Sequence, residues 1–96
     1  MTKKEILDYL KNYKKEFAKR YGISRIGLFG SRAKDTEKPD SDIDLVIETE
    51  CADYFLLYSL KEELERAFEA KVDLVRMRKR MNESLKRRIG KEAIYV

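Results

Sequence analysis

The chain has 96 residues, 43% of them hydrophobic and 42% charged, which suits one small domain over residues 1–96 with one core. It has one cysteine and no histidine, which excludes an internal disulfide, Ser-His-Asp and Cys-His catalysis, and most catalytic zinc sites. With no signal peptide and no apolar run of bilayer length, we expect a cytoplasmic protein without a membrane partner.

The net charge of +4 is distributed in blocks along the sequence. Residues 1–34 carry a net charge of +7, residues 35–69 of −9 and residues 71–96 of +6. A general nucleic-acid binder concentrates positive charge on one face, so this pattern does not favour direct nucleic-acid binding. It fits an acidic, metal-binding centre with positive groups around it.

The first predicted element is a helix over about residues 3–21. Thr2 and Glu5 fit a capping box at its start, and Gly22 supplies the C-terminal stop. Between them, apolar residues recur at helical spacing: Ile6, Leu10, Tyr13 and Phe17. The pattern indicates a helix that covers one face of a sheet.

A strand from Ile23 to Phe29 is predicted next, and Gly30 and Ser31 end it. Glycine lets a ligand approach the backbone closely, and a helix that begins at Ser31 would offer N–H groups to an anion. An ordinary strand-to-helix turn is the alternative interpretation. A Gly-Ser pair does not decide between them.

A polar loop over residues 35–41 contains Pro39, and a second strand is predicted from Asp42 to Glu48. Strand side chains alternate between faces, so Asp42 and Asp44 share one face and aliphatic residues the other. Their Cα atoms would lie roughly 6–7 Å apart. Their oxygens could then converge on two metal ions about 3.5–4 Å apart.

Asp53 is predicted to cap a long helix that runs to about Ala70. Its buried stripe is expected to consist of Leu57, Leu60, Leu64, Ala67 and Phe68. Three aromatic residues, Tyr54, Phe55 and Tyr58, lie partly outside that stripe. Flanking core packing is the simpler interpretation of these rings, and an aromatic partner surface is the alternative.

A third strand is predicted from Lys71 to Arg76, with Asp73 as a lone charge between aliphatic residues. Such a carboxylate usually faces solvent, but here it could supply a third acidic ligand. Asn82 caps a last helix through Ile89, and Gly90 is expected to stop it. The apolar tail over residues 93–96 would add a short edge strand or dock on a partner.

Several rival motifs fail on the same residues. Asp40, Asp42 and Asp44 match the start of an EF-hand loop, but Leu45 stands at its glycine position and Cys51 at its glutamate position. No glycine precedes Lys-Ser or Lys-Thr, and no G-x-G-x-x-G occurs. The surviving hypothesis is a two-metal Mg²⁺ site for nucleotide chemistry.

The segment GSRAKDTEKPDSDIDL resembles the nucleotidyltransferase signature, in which a Gly-Ser turn with a basic residue precedes S-D-x-D-L. The segment VDLV places Asp73 where that family's third carboxylate is expected. The small size and the C-terminal KRRIGKEAIYV are similar to the minimal nucleotidyltransferases, the MNT proteins of the DNA polymerase β superfamily. The resemblance spans nearly the whole chain.

The resemblance implies an α/β (α+β) nucleotidyltransferase fold, a small mixed β-sheet flanked by helices. It implies that Gly30 and Ser31 hold the triphosphate of ATP and that Arg32 neutralises phosphate charge. It also implies that Mg²⁺, as two ions, is bound by three carboxylates: Asp42, Asp44 and Asp73. In addition, Asp73 would activate the acceptor hydroxyl.

The resemblance further implies an antitoxin that transfers AMP to a tyrosine hydroxyl of a partner HEPN toxin, an RNase. Two alternatives remain open: a toxin-binding antitoxin with little or no catalysis, and nucleotidyl transfer to a small molecule. Small-molecule relatives generally carry an additional domain, and a homo-oligomer could supply those missing walls. One departure from the family pattern is Asp35, where many relatives have glycine.

Overall fold

Three helices and four strands make up residues 2–34 and 42–96, the part of the chain that the computed structural model describes. In chain order they are α1 (Lys3–Tyr21), β1 (Ile23–Phe29), β2 (Ile43–Thr49), α2 (Tyr54–Phe68), β3 (Val72–Arg76), α3 (Glu83–Glu92) and β4 (Ile94–Tyr95). The strands form one sheet in the order β3-β2-β1-β4. Strands β2 and β3 are parallel, and the other neighbours are antiparallel. The predicted α+β class, a mixed sheet flanked by helices, is confirmed.

The two faces of the sheet carry different helices. Helices α1 and α2 cover one face, and α3 covers part of the other, where Ile89 packs with Phe29 and Val46. Because strand side chains alternate, Asp44 and Asp73 lie on the α3 face. None of the helices in the described ranges has the length and apolarity that crossing a bilayer requires.

The ends of α1 lie where the sequence predicts them. The Thr2 hydroxyl accepts from the Glu5 backbone N–H at 3.1 Å, and the Glu5 carboxylate accepts from the Thr2 N–H at 2.9 Å. Gly22 adopts φ 65° and closes the helix by donating to the carbonyl of Ala18. The capping box and the glycine stop are therefore confirmed. Tyr13, however, is 41% exposed and lies at the margin of the apolar stripe.

Helix α2 ends two residues before the predicted Ala70. Glu69 adopts a left-handed conformation with φ 52°, which ends the helix after Phe68. Ala67, predicted in the buried stripe, is exposed, whereas the other four members of that stripe are buried. Strand β2 begins at Ile43, one residue after the predicted start, and Asp42 directly precedes it.

The prediction that Gly90 stops α3 is wrong. The helix continues to Glu92, and the N–H of Ala93 still donates to the carbonyl of Ile89 at 2.9 Å. Gly90 has no positive φ, so it lacks the left-handed conformation that ends helices. The tail then forms β4 on the free edge of β1, which confirms the edge-strand alternative. The polar loop with Asp35, Pro39 and Asp40 lies outside the described residues.

Candidate functional site

Two acidic residues face each other across the parallel strands β2 and β3. Asp44 and Asp73 are direct partners in the ladder, so their side chains project from the same face of the sheet. Asp44 is half-buried, and Asp73 is exposed on the edge strand. Asp42 is exposed immediately before β2. The three predicted carboxylates therefore lie at one end of two neighbouring strands.

The electrostatics of Asp44 show that these groups act on one another. Burial raises the pKa of Asp44 above its ordinary value, and the negative charges of Asp73 and Asp42 raise it further. The positive charge of Arg88 on α3 opposes the increase, and the negative charge of Glu92 adds to it. Asp44 is thus the centre of a cluster of negative charge.

The turn after β1 lies directly against Asp44. Gly30 adopts φ 78°, and a Cβ placed on it would overlap the Asp44 carboxylate oxygen. The Gly30 carbonyl accepts from the backbone N–H groups of Ala33 at 3.1 Å and Lys34 at 3.2 Å. Residues 31–34 form a turn and not the helix that would begin at Ser31. The turn nevertheless brings the Gly-Ser backbone to the acidic cluster.

The predicted ligands of the nucleotide differ in exposure. Gly30 and Arg32 are buried, Arg32 with only 6% of its surface exposed, and Ser31 is half-buried. Lys34, on the same turn, is exposed. Two cations of opposite accessibility therefore belong to this turn, and the role assigned to Arg32 toward phosphate stays a prediction.

Glu92 is a member of the site that sequence reasoning missed. One of its carboxylate oxygens accepts from the Gly30 N–H at 3.2 Å, and the other pairs with the Lys34 ammonium at 2.6 Å. The expected stop at Gly90 left Glu92 in the tail, where no sequence pattern points to a contact with a turn some sixty residues away. Only the continuation of α3 brings it there.

The carboxylates of this cluster are candidate ligands for a divalent cation. In residues 2–34 and 42–96, no group of three or more His, Cys, Asp or Glu side chains is arranged within ligating distance of one point. The chemistry of Asp42, Asp44 and Asp73 still fits a hard cation, because all three offer oxygen ligands. Burial raises the pKa of Asp44 most, and the negative charges of Asp73 and Asp42 add a repulsion that a bound cation would relieve.

An apolar groove lies beside this cluster but does not contain it. Its volume is about 610 Å³, and it follows the free edge of β3 between α2 and the start of α3. Lys61, Arg76 and Arg78 line it together with apolar side chains, and none of the acidic residues that the structure describes does. None of the three carboxylates lines the groove, so it is separate from the acidic cluster.

Comparison with known proteins identifies the family. Residues 10–96 match the family described as the nucleotidyltransferase domain. MntA of Thermococcus cleftensis, named protein adenylyltransferase, is 34% identical over 97 residues that cover 100% of this chain and 97% of its own. The chain belongs to the nucleotidyltransferase family. A further relative of this nucleotidyltransferase is MJ1215 of Methanocaldococcus jannaschii, a candidate protein adenylyltransferase, with 39% identity over 77% of this chain and 87% of its own.

Solved structures share the nucleotidyltransferase fold. A candidate minimal nucleotidyltransferase superposes with a TM-score of 0.79 and 27% identity, covering 98% of this chain and 95% of that one. A complex of a tri-AMPylated HEPN toxin from Shewanella oneidensis with its MNT antitoxin matches with a TM-score of 0.70 and 19% identity. That match covers 98% of this chain and 71% of the other, and it shows the fold alone. The recognised resemblance to the minimal nucleotidyltransferases is confirmed.

Proposed function

We propose that this nucleotidyltransferase transfers AMP from ATP to a tyrosine hydroxyl of a partner HEPN toxin and so acts as its antitoxin. The nearly full-length relative named protein adenylyltransferase supports the reaction. The solved complex between an AMPylated HEPN toxin and an MNT antitoxin supports the class of partner.

One observation carries the assignment of the site: Asp44 lies between Asp73 on one side and the Gly30 turn on the other. A nucleotide whose triphosphate rests on Gly30 and Ser31 would therefore meet the acidic cluster directly. We assign Mg²⁺ binding to the cluster of Asp42, Asp44 and Asp73. We assign the neutralisation of phosphate charge to Arg32.

Each residue has a defined task in the transfer. Bound Mg²⁺ would supply charge neutralisation for the phosphates and would acidify the acceptor hydroxyl. Gly30 and Ser31 orient the triphosphate, and Asp73, exposed on the edge strand, accepts the proton of the tyrosine hydroxyl. The tyrosine oxygen then forms a bond to the α-phosphorus as the bond to pyrophosphate breaks. The products are the AMP-modified tyrosine and pyrophosphate.

The experiment is incubation with labelled ATP, Mg²⁺ and the cognate HEPN toxin. We expect transfer of label by the wild type and a loss of roughly 100-fold or more in the double variant Asp42→Asn/Asp44→Asn, since removal of one transition-state-stabilising group typically costs that much. The matched control is Asp53→Asn, which keeps a good N-cap on α2 and lies outside the cluster. No transfer by the wild type, or equal transfer by the double variant, would refute the proposal.

A second candidate is an antitoxin that neutralises its toxin by binding alone. The favouring observation is the exposed aromatic start of α2, where Tyr54 is 69%, Phe55 88% and Tyr58 57% exposed. Such rings are the kind of side chain that anchors protein interfaces. If Asp42→Asn/Asp44→Asn abolishes label transfer but still neutralises the toxin in cells, binding is the function that matters.

A further inference from the structure

We propose that Glu92 is a positioning residue, which holds the Gly30–Lys34 turn in the conformation that receives the nucleotide phosphates. This inference rests on the proposed function, because it assigns the turn to the triphosphate. It adds a residue from the C-terminal end of α3 to a site otherwise made from β1, β2 and β3. The C-terminal segment that resembles the minimal nucleotidyltransferases includes Glu92, but the resemblance assigns this residue no role.

The contacts of Glu92 join both ends of the turn. Its Oε2 accepts from the backbone N–H of Gly30 at 3.2 Å, and its Oε1 pairs with Nζ of Lys34 at 2.6 Å. The turn is closed inside by the Gly30 carbonyl, which accepts from the backbone N–H groups of Ala33 and Lys34. Glu92 therefore fixes an already closed turn to α3, and both of its oxygens are used.

The partial burial of Glu92 strengthens these contacts, because little water competes for the carboxylate. Its side chain is only 12% exposed, whereas the side chain of its partner Lys34 is 54% exposed. The hydrogen bond from Lys34 lowers the pKa of Glu92, so the carboxylate is charged at neutral pH. Hydrogen bonds to charged groups are stronger than those between neutral groups. Without Glu92, the buried Gly30 N–H would lose its acceptor, which is costly.

The tight packing of the turn explains why its position matters for the nucleotide. The Gly30 backbone stands so close to Asp44 that no Cβ fits between them. A small shift of the turn would therefore change the distance between the phosphate-binding backbone and the metal-binding carboxylates. Misplacement of about 1 Å can reduce a reaction 100-fold. Glu92 sets that distance from outside both elements.

The opposite hypothesis makes the opposite prediction. A carboxylate that occupies an N–H group and an ammonium could stand in for a phosphate and compete with the nucleotide. In that case removal of Glu92 would strengthen nucleotide binding. For a positioning residue, removal weakens it, so the sign of the change in the dissociation constant distinguishes the two.

The test compares the full-length wild type with Glu92→Ala, Glu92→Gln and the control Glu62→Ala. Glu62 is exposed on α2, on the opposite face of the sheet. Calorimetry with ATP and Mg²⁺ should show a dissociation constant raised about tenfold in Glu92→Ala, as the loss of a charge-assisted hydrogen bond predicts. Glu92→Gln keeps an acceptor for the Gly30 N–H and should lie between Glu92→Ala and the wild type. Glu62→Ala should bind as the wild type does.

A second measurement needs no nucleotide. Amide hydrogen exchange at Gly30 should accelerate in Glu92→Ala, less in Glu92→Gln, and not in Glu62→Ala. Unchanged exchange at Gly30, or ATP binding by Glu92→Ala that equals or exceeds that of the wild type, overturns the positioning role. A wild type that binds no ATP overturns the proposed function and this inference with it, whereas a binding wild type with an unaffected Glu92→Ala overturns this inference alone.

Discussion

Gly30 and Asp44 approach each other more closely than any side chain at position 30 would allow. A Cβ built on Gly30 would overlap the Asp44 carboxylate oxygen and would stand 3.1 Å from its Cγ. Gly30 also adopts φ 78°, a backbone conformation that residues other than glycine rarely adopt. Two independent constraints therefore require glycine at the entrance of the turn.

The first prediction is that Gly30→Ala damages stability and transfer together. The strained backbone should lower the free energy of unfolding by about 1–3 kcal/mol. The added methyl group should also push Asp44 out of place and so reduce AMP transfer. Chemical denaturation and the labelled-ATP assay measure the two effects.

Gly90→Ala is the matched control for that substitution. Gly90 lies within α3 and lacks a positive φ, and apart from its chain neighbours and its own helix backbone no described heavy atom lies within 4 Å of its Cβ position. Alanine there should raise the free energy of unfolding by roughly 0.5–1 kcal/mol, because it favours the helix, and should leave transfer unchanged. If the two alanine variants lost equal stability, the special geometry of Gly30 would be refuted.

The second prediction concerns pH. The folded-state pKa of Asp44 is raised by burial and by the charge of Asp73. The stability that protonated Asp44 contributes is therefore complete below its ordinary pKa and is lost as the pH rises through the raised folded-state pKa. Thermal unfolding in EDTA from about pH 3 to 7 should show that the metal-free wild type loses more stability over this window than Asp44→Asn does.

Asp73→Asn supplies a second check on the same window. It removes a like charge that raises the pKa of Asp44, so the loss of stability should be completed at a lower pH than in the wild type. Stability profiles that run parallel in the wild type and both variants would show that the two carboxylates do not interact. Asp53→Asn controls for the loss of an aspartate elsewhere.

The third prediction is that Mg²⁺ raises the unfolding temperature through the acidic cluster. An ion that binds only the folded state stabilises it by about 2.7 kcal/mol at 100 times its dissociation constant. The increase should be seen in the wild type and in Asp53→Asn, and should vanish in Asp42→Asn/Asp44→Asn. Differential scanning fluorimetry across a Mg²⁺ series measures it, and an equal increase in the double variant would place the ion elsewhere.

Much of this architecture could be predicted because local sequence determines it. The capping box of Thr2 and Glu5, the glycine stop at Gly22 and the alternation around Asp44 need only short stretches of chain. The approach of Asp73 to Asp44 across β2 and β3 follows instead from the family resemblance, which places Asp73 as the third carboxylate. Helix ends and strand faces that a few neighbouring residues determine are therefore predicted correctly from the sequence.

The remainder depends on contacts between distant parts of the chain. Nothing local distinguishes Gly90 inside a helix from a glycine that ends one, and α3 extends to Glu92, where tertiary contacts with the Gly30–Lys34 turn hold its last turn. Glu69 ends α2 in a left-handed conformation that favours glycine or asparagine over glutamate. The wrong ends predicted for α2 and α3 both lie where local propensity is weakest. The wrong end of α3 is the reason that the sequence did not indicate Glu92 as a residue of the site.

The fourth prediction concerns Gly27, which lets β4 pack against β1. A Cβ on Gly27 would stand 2.9 Å from Cδ1 of Tyr95 and 3.1 Å from the carbonyl oxygen of Ile94. The Arg25 guanidinium also stacks over the Tyr95 ring, 3.8 Å from the ring centroid, and this contact opposes displacement of the ring. Gly27→Ala should lower the free energy of unfolding by about 1–3 kcal/mol through this overpacking.

A double-mutant cycle shows whether Tyr95 is responsible for that cost. In a Tyr95→Ala background the ring is absent and only the contact with the Ile94 carbonyl remains, so Gly27→Ala should cost less there than in the wild type. Because β4 follows directly on α3, displacement of Tyr95 should also loosen Glu92 and accelerate exchange of the Gly30 amide. Additive losses of stability in the cycle would show that Gly27 is required for a reason other than the Tyr95 ring.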